Sequence, residues 1–283
     1  MSQQLTVLIP CKNEREQLAA CIGSAQELAD EVLVADSGST DGSIEIAQSL
    51  GTRVIEREYR TYGDFQNWAI PQATRPWVLV LDSDERVTTA LAAEIRRVLG
   101  DEPPHAGYSM PRRNHFLGHP IRFGPWMHDH CLRLFRRDAV RYVGNTDHAH
   151  AKLRRGTVGS LRNHLIHYTC TSYEQYLPKL QRYAATQARL WHQQGRRTNV
   201  GQMLFRGPFR FLQGYIGRLG FLDGVAGLQV CALIAYLSYL KHARLWELQN
   251  ANSRHRRPEL TVDCDAERFS PGDAAVVSLS AAS

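Results

Sequence analysis

The sequence has little of what marks a secreted, a zinc-binding or a classical nucleotide-binding protein. Its six cysteines are scattered and form no Cys-x-x-Cys pair, which disfavours a structural zinc site. The amino terminus carries no signal peptide, so we expect reduced thiols in a cytosolic protein. Neither Gly-x-Gly-x-x-Gly nor a P-loop occurs, which weighs against a classical dehydrogenase or NTPase.

The longest uncharged run is of borderline length for a membrane span, and a buried or re-entrant helix fits it nearly as well. Residues 224–240 are uncharged, but a spanning helix needs ~20 apolar residues. The preceding stretch is basic and amphipathic, because Arg206, Arg210 and Arg218 alternate with aromatic and aliphatic side chains. Such stretches commonly lie on anionic membrane surfaces, so interfacial attachment is favoured over a span. A helical bundle packed against the rest of the chain is the alternative.

The overall composition is that of a globular protein with an anionic partner. A hydrophobic content of 43% supports a sizeable core in a chain of 283 residues. The net charge of +6 fits nucleic acid, a membrane surface or a phosphorylated substrate, and does not choose among them.

Short apolar runs alternate with helical periodicities in the amino-terminal part of the chain. Strands are predicted over 5–9, 32–35, 53–56 and 78–81, with helices between them. This alternation predicts an α/β fold, Rossmann-like, with a mostly parallel sheet flanked by helices. Beyond Gly100 the pattern weakens, and strands over 108–110 and 131–135 enclose a predicted irregular, functional loop over 111–130.

Three parts follow from these patterns. Residues 1–165 are predicted to form the sheet domain, and residues 166–250 a helical, membrane-associating region. Residues 251–283 are polar and rich in small side chains, which predicts a disordered tail.

Acidic and polar residues follow the predicted strands at the points where they end. Ligands of open α/β sheets bind at the carboxyl ends of the strands, so Asp82 to Glu85 should lie at a site. Asp82 and Asp84, one residue apart, suit a hard divalent cation such as Mg²⁺ or Mn²⁺. Asp36 could accept a hydrogen bond from a base or ribose, and residues 37–39 would let a ligand approach the backbone. For Asp82 to Glu85 the alternative is a solvated strand end or a helix cap. For Asp41 a role as a helix N-cap is favoured.

Three motifs in this order resemble the amino-terminal signature of the family 2 glycosyltransferases, which have the GT-A fold. They are Leu-Ile-Pro-Cys-Lys-Asn-Glu at 8–14, Val-Ala-Asp-Ser-Gly-Ser-Thr-Asp-Gly at 34–42 and Leu-Asp-Ser-Asp-Glu-Arg at 81–86. The likeness continues through residues 63–67, 111–118 and 132–137. Residues 219–224 and 241–249 resemble the end of a bacterial branch that includes lipopolysaccharide-core glucosyltransferases.

The resemblance implies an inverting transfer from a nucleotide-diphosphate sugar, most often UDP-linked, to a hydroxyl group. Asp36 would meet the uracil, and Asp82 and Asp84 would hold the divalent cation, with Asp84 the more direct ligand. Arg112 or Arg113 could assist the departing diphosphate. The residues implied in donor binding are Pro10, Asn13, Glu14, Asp36, Ser37, Gly38, Asn67, Asp82, Ser83, Arg112 and Arg113.

The base that accepts the proton of the acceptor hydroxyl is not fixed by the motifs. Asp129 is favoured, and Asp147 or a histidine such as His150 is the alternative. Related enzymes often have a His-Glu pair near the place of His150. Here Ala151 follows His150, so the expected carboxylate is missing.

The resemblance favours glucose as the sugar and a lipopolysaccharide-core or other lipid-linked glycan as the acceptor. The enzyme would then act at the cytoplasmic face of the inner membrane, as a peripheral protein without a nucleic-acid partner. Transfer to polyprenyl phosphate is one alternative, and a non-enzymatic nucleotide- or nucleic-acid-binding module is another. The last leaves the acids at the strand ends unexplained, because they would repel phosphates.

Overall fold

The computed structural model describes residues 4–100, 102–144 and 149–251. These residues form twelve strands and seven α-helices, arranged as an α/β fold around one large sheet. The strands, in chain order, are β1 Leu5–Cys11, β2 Glu31–Asp36, β3 Arg53–Glu56, β4 Trp77–Val80, β5 Glu85–Val87, β6 Gly107–Phe116, β7 His119–Pro120, β8 His130–Arg136, β9 Val140–Val143, β10 His150–Leu153, β11 Val158–Ser160 and β12 Leu165–Cys170. The helices are α1 Arg15–Gln26, α2 Ser43–Ser49, α3 Tyr62–Ala69, α4 Thr89–Gly100, α5 Tyr173–Gln193, α6 Val200–Leu212 and α7 Gly224–Gln249.

The first half of the sheet is parallel, as predicted, in the order β3-β2-β1-β4. Its strands are apolar because both of their faces are buried. On β1, Val7 and Ile9 pack with helices α1 and α4, whereas Leu8 packs with α3 on the other face. The carboxyl ends of β1, β2 and β4 therefore lie side by side at one edge.

The second half of the sheet is mixed, in the order β4-β8-β6-β12-β5. Strand β8 is antiparallel to both β4 and β6, and β12 is parallel to β6 but antiparallel to β5. The prediction of an irregular segment over 111–130 is wrong in its first part, because β6 continues to Phe116. Polar side chains at alternate positions of β6 face the site, which removes the apolar alternation that marks a strand in sequence.

The predicted boundary after residue 165 needs a correction for a related reason. Strand β12 is hydrogen-bonded between β6 and β5, so the sheet domain extends to Cys170 and the helical region begins with α5.

The carboxyl-terminal helices pack on one another and on the sheet domain. Helix α7 contacts both α5 and α6, and Val230 on α7 joins a buried cluster with Phe116 of β6 and Tyr176 of α5. The helical stretch Gly220–Gln249 is long and apolar enough to cross a membrane by length and composition, although 28% of its apolar window is buried within the protein. The predicted tail, apart from residue 251, lies outside the described residues.

Candidate active site

The loops after β1, β2 and β4 form the rim at which the sequence predicted a site. The carboxylate of Asp36 is fully buried and accepts the backbone N–H groups of Gly38 and Ser39 at 2.6 and 2.7 Å. Gly38 has φ +92°, a left-handed conformation that a side chain would strain. Asp36 therefore shapes the loop that follows β2, and its contact with a base stays a prediction.

The first two loops are hydrogen-bonded to each other. The side-chain oxygen of Asn13 accepts the N–H of Thr40 at 2.8 Å, and Lys12 donates to the carbonyl of Ser37 at 3.1 Å. The carboxylate of Asp41 accepts the N–H of Ser43, the first residue of α2, and of Arg15, the first residue of α1, each at 3.0 Å. The N-cap position of α2 is Gly42, so Asp41 lies one residue before the cap and not at it as predicted, but it satisfies the N–H groups at the start of both helices.

A buried charge network lies beneath the third loop. The guanidinium of Arg133, on β8, donates to Asp82, to the hydroxyl of Tyr62 at 3.1 Å and to Glu85 at 3.1 Å. Glu85 is fully buried, and this burial keeps its pKa above the usual value in spite of the charges of Arg133 and Arg112. The network ties the loop to the antiparallel neighbour of β4, so Asp82 is engaged by the protein itself.

Asp84 faces a histidine and a lysine. Its carboxylate lies 3.4 Å from Nε2 of His167 and 3.9 Å from Nζ of Lys179. Burial would raise the pKa of Asp84, but the hydrogen bond and charge of His167, with the charges of Lys179 and Arg133, lower it to about 2. The N–H of Tyr168 donates to the carbonyl of Asp84 at 2.9 Å, which holds β12 against the loop. Asp84 is thus a fixed, ionised carboxylate at the rim.

Asp129 lies at the other end of the same hydrogen-bond chain. Asn114 donates its amide to Asp129 at 2.9 Å, while its side-chain oxygen lies 2.6 Å from Nδ1 of His167. Arg112 donates to the second oxygen of Asp129 at 2.9 Å. Burial would raise the pKa of Asp129, but the hydrogen bonds of Arg112 and Asn114 and the charge of Arg112 hold it below its usual range.

Asp84, with His167 beside it, could hold a divalent cation, while the predicted part of Asp82 in such a site stays a prediction. Nδ1 of His167 lies 2.6 Å from the side-chain oxygen of Asn114 and Nε2 lies 3.4 Å from Asp84, so the ring is held between the two side chains. In residues 4–100, 102–144 and 149–251, no group of three or more His, Cys, Asp and Glu could hold a metal ion. A site of one or two protein ligands suits Mg²⁺ or Mn²⁺ bound mainly through substrate phosphates.

Some predicted site residues lie elsewhere. The amide of Asn67 is used fully in packing, because it donates to the carbonyl and accepts the N–H of Tyr142, each at 2.9 Å. Arg113 follows Arg112 on β6 and therefore points away from the site, since adjacent side chains of a strand face opposite sides. The predictions for Asn67 and Arg113 as donor-binding side chains are thus corrected.

Of the two alternative bases, only His150 lies among the described residues. His150 begins β10, is exposed, and has no hydrogen bond or ion pair with the rim within the part of the chain that the structure describes. Asp147 lies outside the described residues. Pro10, Glu14, Ser37 and Ser83 do lie at the rim, on the ends of β1, β2 and β4.

Four site residues were missed by sequence reasoning: Tyr62, Arg133, His167 and Lys179. Arg133 did leave a signal, because it interrupts the apolar residues of β8 and a buried charge needs a partner. His167 and Lys179 left none, since only the pairing of β12 with β6 and β5 brings them to Asp84.

The removal of Arg133 tests whether this network supports the fold. Arg133→Met leaves Glu85 buried without its main partner, so we expect a loss of about 3–5 kcal/mol in the free energy of unfolding, measured by urea denaturation. Arg136→Met, on the same strand but half exposed, should change it by about 0.5 kcal/mol or less. A loss below about 1 kcal/mol for Arg133→Met would contradict the structural role of the network.

Comparison with known proteins matches the part of the chain that carries this acidic rim to a glycosyltransferase family. The family model described as Glycosyl transferase family 2 matches residues 6–123, which hold all three strand-end loops. The chain is a family 2 glycosyltransferase, a member of an inverting, hexosyl-transferring family that uses nucleotide sugars.

The relatives cover most of the chain. A lipopolysaccharide core biosynthesis glycosyltransferase, LpsC, of Rhizobium meliloti is 28% identical over 84% of this chain and 93% of its own length. An uncharacterized glycosyltransferase of Rickettsia typhi is 26% identical over 87% of this chain and 88% of its own.

Solved structures match more distantly. Staphylococcus aureus TarS superposes with a TM-score of 0.43 and 15% identity over 65% of this chain, which spans 39% of TarS. The glucosyl-3-phosphoglycerate synthase of Mycobacterium tuberculosis, solved with Mn²⁺ and UDP, gives a TM-score of 0.41 and 16% identity over 58% of this chain and 72% of its own.

Proposed function

We propose that the protein transfers a hexose, glucose, from a UDP-sugar to a hydroxyl of a lipopolysaccharide-core or other lipid-linked glycan. The observation that carries this proposal is the hydrogen-bond chain from Asp84 through His167 and Asn114 to Asp129. This chain of contacts holds two carboxylates at fixed positions in one cleft: Asp84, which suits the binding of the donor, and Asp129, which suits the activation of the acceptor.

The donor side is formed by the rim loops. Asp84 and His167 would hold a divalent cation, Mg²⁺ or Mn²⁺, which when bound neutralises charge that develops on the leaving diphosphate. Lys179 lies 3.9 Å from Asp84 and adds a positive charge to the same region. Arg112 forms ion pairs with both Glu85 and Asp129, so its positive charge partly neutralises these two carboxylates beneath the cleft. Gly38 is exposed and has no side chain, so a nucleoside could approach its backbone closely.

The acceptor side depends on Asp129. Its carboxylate takes the proton of the acceptor hydroxyl as the new bond to the anomeric carbon forms, while the nucleoside diphosphate leaves with the electrons of the old bond. Arg112 and Asn114 hold both oxygens of Asp129, so the orientation of the base is set before the acceptor binds. Attack from the face opposite the leaving group gives the inversion that characterises the family.

The nature of the acceptor is supported by the relative and by the surface. The relative LpsC of Rhizobium meliloti is described as an enzyme of lipopolysaccharide core biosynthesis, and it aligns over most of both chains. The carboxyl-terminal helices expose many large apolar side chains, which suits work at the cytoplasmic face of a membrane as a peripheral protein. Transfer to polyprenyl phosphate shares the donor chemistry and is distinguished by the product alone.

Calorimetric titration tests the donor assignment. We expect UDP and UDP-glucose to bind in the presence of Mn²⁺ or Mg²⁺, and the heat to vanish when a chelator is added. GDP and ADP should bind more weakly, since the rim is proposed to recognise uracil. Binding that is unaffected by the chelator would contradict the cation assignment, and stronger binding of GDP would contradict the choice of UDP.

A further inference from the structure

The segment formed by α6 and the turns that follow it, residues 200–222, exposes large apolar side chains to solvent. Leu204, Phe205, Phe209 and Ile216 are between 59% and 72% exposed, although side chains of this size are normally buried. A contiguous apolar surface of this kind indicates a binding partner. We call it the docking surface.

The charge around the docking surface points to the kind of partner. No Asp or Glu occurs between Glu174 and Asp223. The lysines and arginines within that interval are Lys179, Arg182, Arg189, Arg196, Arg197, Arg206, Arg210 and Arg218. Arg206 and Arg210 stand on α6 itself, beside the exposed phenylalanines. Apolar side chains interleaved with arginine complement an anionic lipid surface, where acyl chains lie beneath negative headgroups.

Helix α7 packs against the docking surface, although some of its own apolar side chains, such as Val225, are exposed as well. The Sγ of Cys231 packs so closely on Gly214 and Gly220 that a β-carbon there would lie 3.3 and 2.8 Å from it. Gly124, which follows β7, packs against the same sulfur, and a β-carbon on Gly124 would lie 3.6 Å from it. Cys231 therefore joins the first half of α7 to the docking surface and, through Gly124, to the sheet domain.

The docking surface is also fastened to the segment that leads to the base. The carboxylate of Asp223 accepts the N–H groups of Arg122 and Phe123 at 3.0 and 2.8 Å. The N–H of Gly124 donates to the carbonyl of Arg218 at 2.8 Å. A few residues later this segment supplies Asp129, so these hydrogen bonds join the docking surface to the part of the chain that carries the proposed base.

We propose that the docking surface binds the anionic phospholipid leaflet that carries the acceptor, and that Asp223 couples this contact to the acceptor side of the cleft. The lipid contact stands independently of the chemistry, whereas the coupling rests on the proposed function. Docking holds the enzyme at a fixed orientation, so a lipid-anchored acceptor reaches Asp129 without leaving its leaflet.

Vesicle sedimentation tests the lipid contact. The full chain should bind vesicles of phosphatidylcholine with phosphatidylglycerol more tightly than vesicles of phosphatidylcholine alone, and less tightly as salt is raised. Arg206→Ala/Arg210→Ala should weaken binding to the anionic vesicles roughly 25-fold, at about fivefold for each arginine. Phe205→Ser/Phe209→Ser should weaken it at least ~10-fold.

The matched control is Arg96→Ala/Arg97→Ala, which removes the same charge from exposed positions of α4 and should leave vesicle binding within about twofold of wild type. Equal loss in this control would mean that net charge alone acts, and would overturn the proposal. A dimer in sedimentation equilibrium that Phe205→Ser/Phe209→Ser dissociates, without vesicle binding by the wild type, would assign the docking surface to a second copy instead.

Asp223→Ala tests the coupling. This variant should bind vesicles and UDP as the wild type does, and should retain transfer to a short, soluble acceptor glycan. Transfer to the same glycan on a lipid anchor in anionic vesicles should fall at least tenfold. If Asp223→Ala kept the wild-type rate on the lipid-anchored acceptor as well as on the soluble one, the coupling would be overturned. If the wild type did not bind UDP, the proposed function would be wrong, while the vesicle result would still stand.

Discussion

Asp84→Asn should lose cation-dependent donor binding and reduce kcat/KM by about 10³-fold, the factor that a loss of about 4 kcal/mol in charge stabilisation produces. The reason is the position of Asp84: it is ionised, held by His167 and Lys179, and stands at the rim where the diphosphate would bind. An asparagine of the same shape keeps the packing and removes the charge. Calorimetric titration with UDP and Mn²⁺, followed by steady-state kinetics, measures both effects.

The fold should survive this substitution. The pKa of Asp84 is lowered to about 2 from its usual 3.8, so the ionised carboxylate stabilises the native chain at every pH above the unfolded value and this contribution is lost only as pH falls toward 2. Its removal therefore costs at most about 2.5 kcal/mol at neutral pH, less than a typical domain's stability. Asp138→Asn, an exposed acid paired with Arg155, serves as the control and should bind UDP normally. Cation-dependent binding in Asp84→Asn would move the cation to Asp82.

The parallel half of the sheet was predictable because its signals are local. A buried run of apolar residues followed by an acid, as at Val80 to Asp82, marks both a strand and its functional end within a few residues. The same holds for Asp36 and, one residue from the observed cap position, for Asp41, whose partners Ser43 and Arg15 begin helices α2 and α1.

The mixed half was not predictable in the same way. Periodicity does not state the direction or the neighbour of a strand, and β8 enters the sheet antiparallel between β4 and β6. The partners of Asp84 come from β12 and α5, far along the chain, so its low pKa has no local cause that the sequence could display. Likewise, Asn67 fits a family motif, yet its amide is used in packing against Tyr142.

Asp129→Asn should lower kcat by roughly 10²- to 10⁴-fold while UDP affinity stays within about threefold of wild type. Arg112 and Asn114 hold both oxygens of Asp129, which is the base in the proposed mechanism, whereas the proposed donor site lies at the opposite end of the hydrogen-bond chain. His150→Ala is the matched test of the alternative base and should retain near-normal kcat, because His150 has no described contact with the rim. The reverse pattern, with Asp129→Asn active and His150→Ala inactive, would reassign the base.

The pH dependence of kcat separates the two bases independently. Because the pKa of Asp129 lies below its usual range, this carboxylate is deprotonated at all pH values well above 4. With donor and cation saturating, kcat should therefore show no fall that is due to the base between about pH 5 and 8. A histidine base would instead lose its lone pair to a proton as pH falls through about 6.5, and kcat would drop about tenfold for each further pH unit. A drop of that form in the wild type, abolished in His150→Ala, would remove Asp129 from the role that its hydrogen bonds to Arg112 and Asn114 suggest.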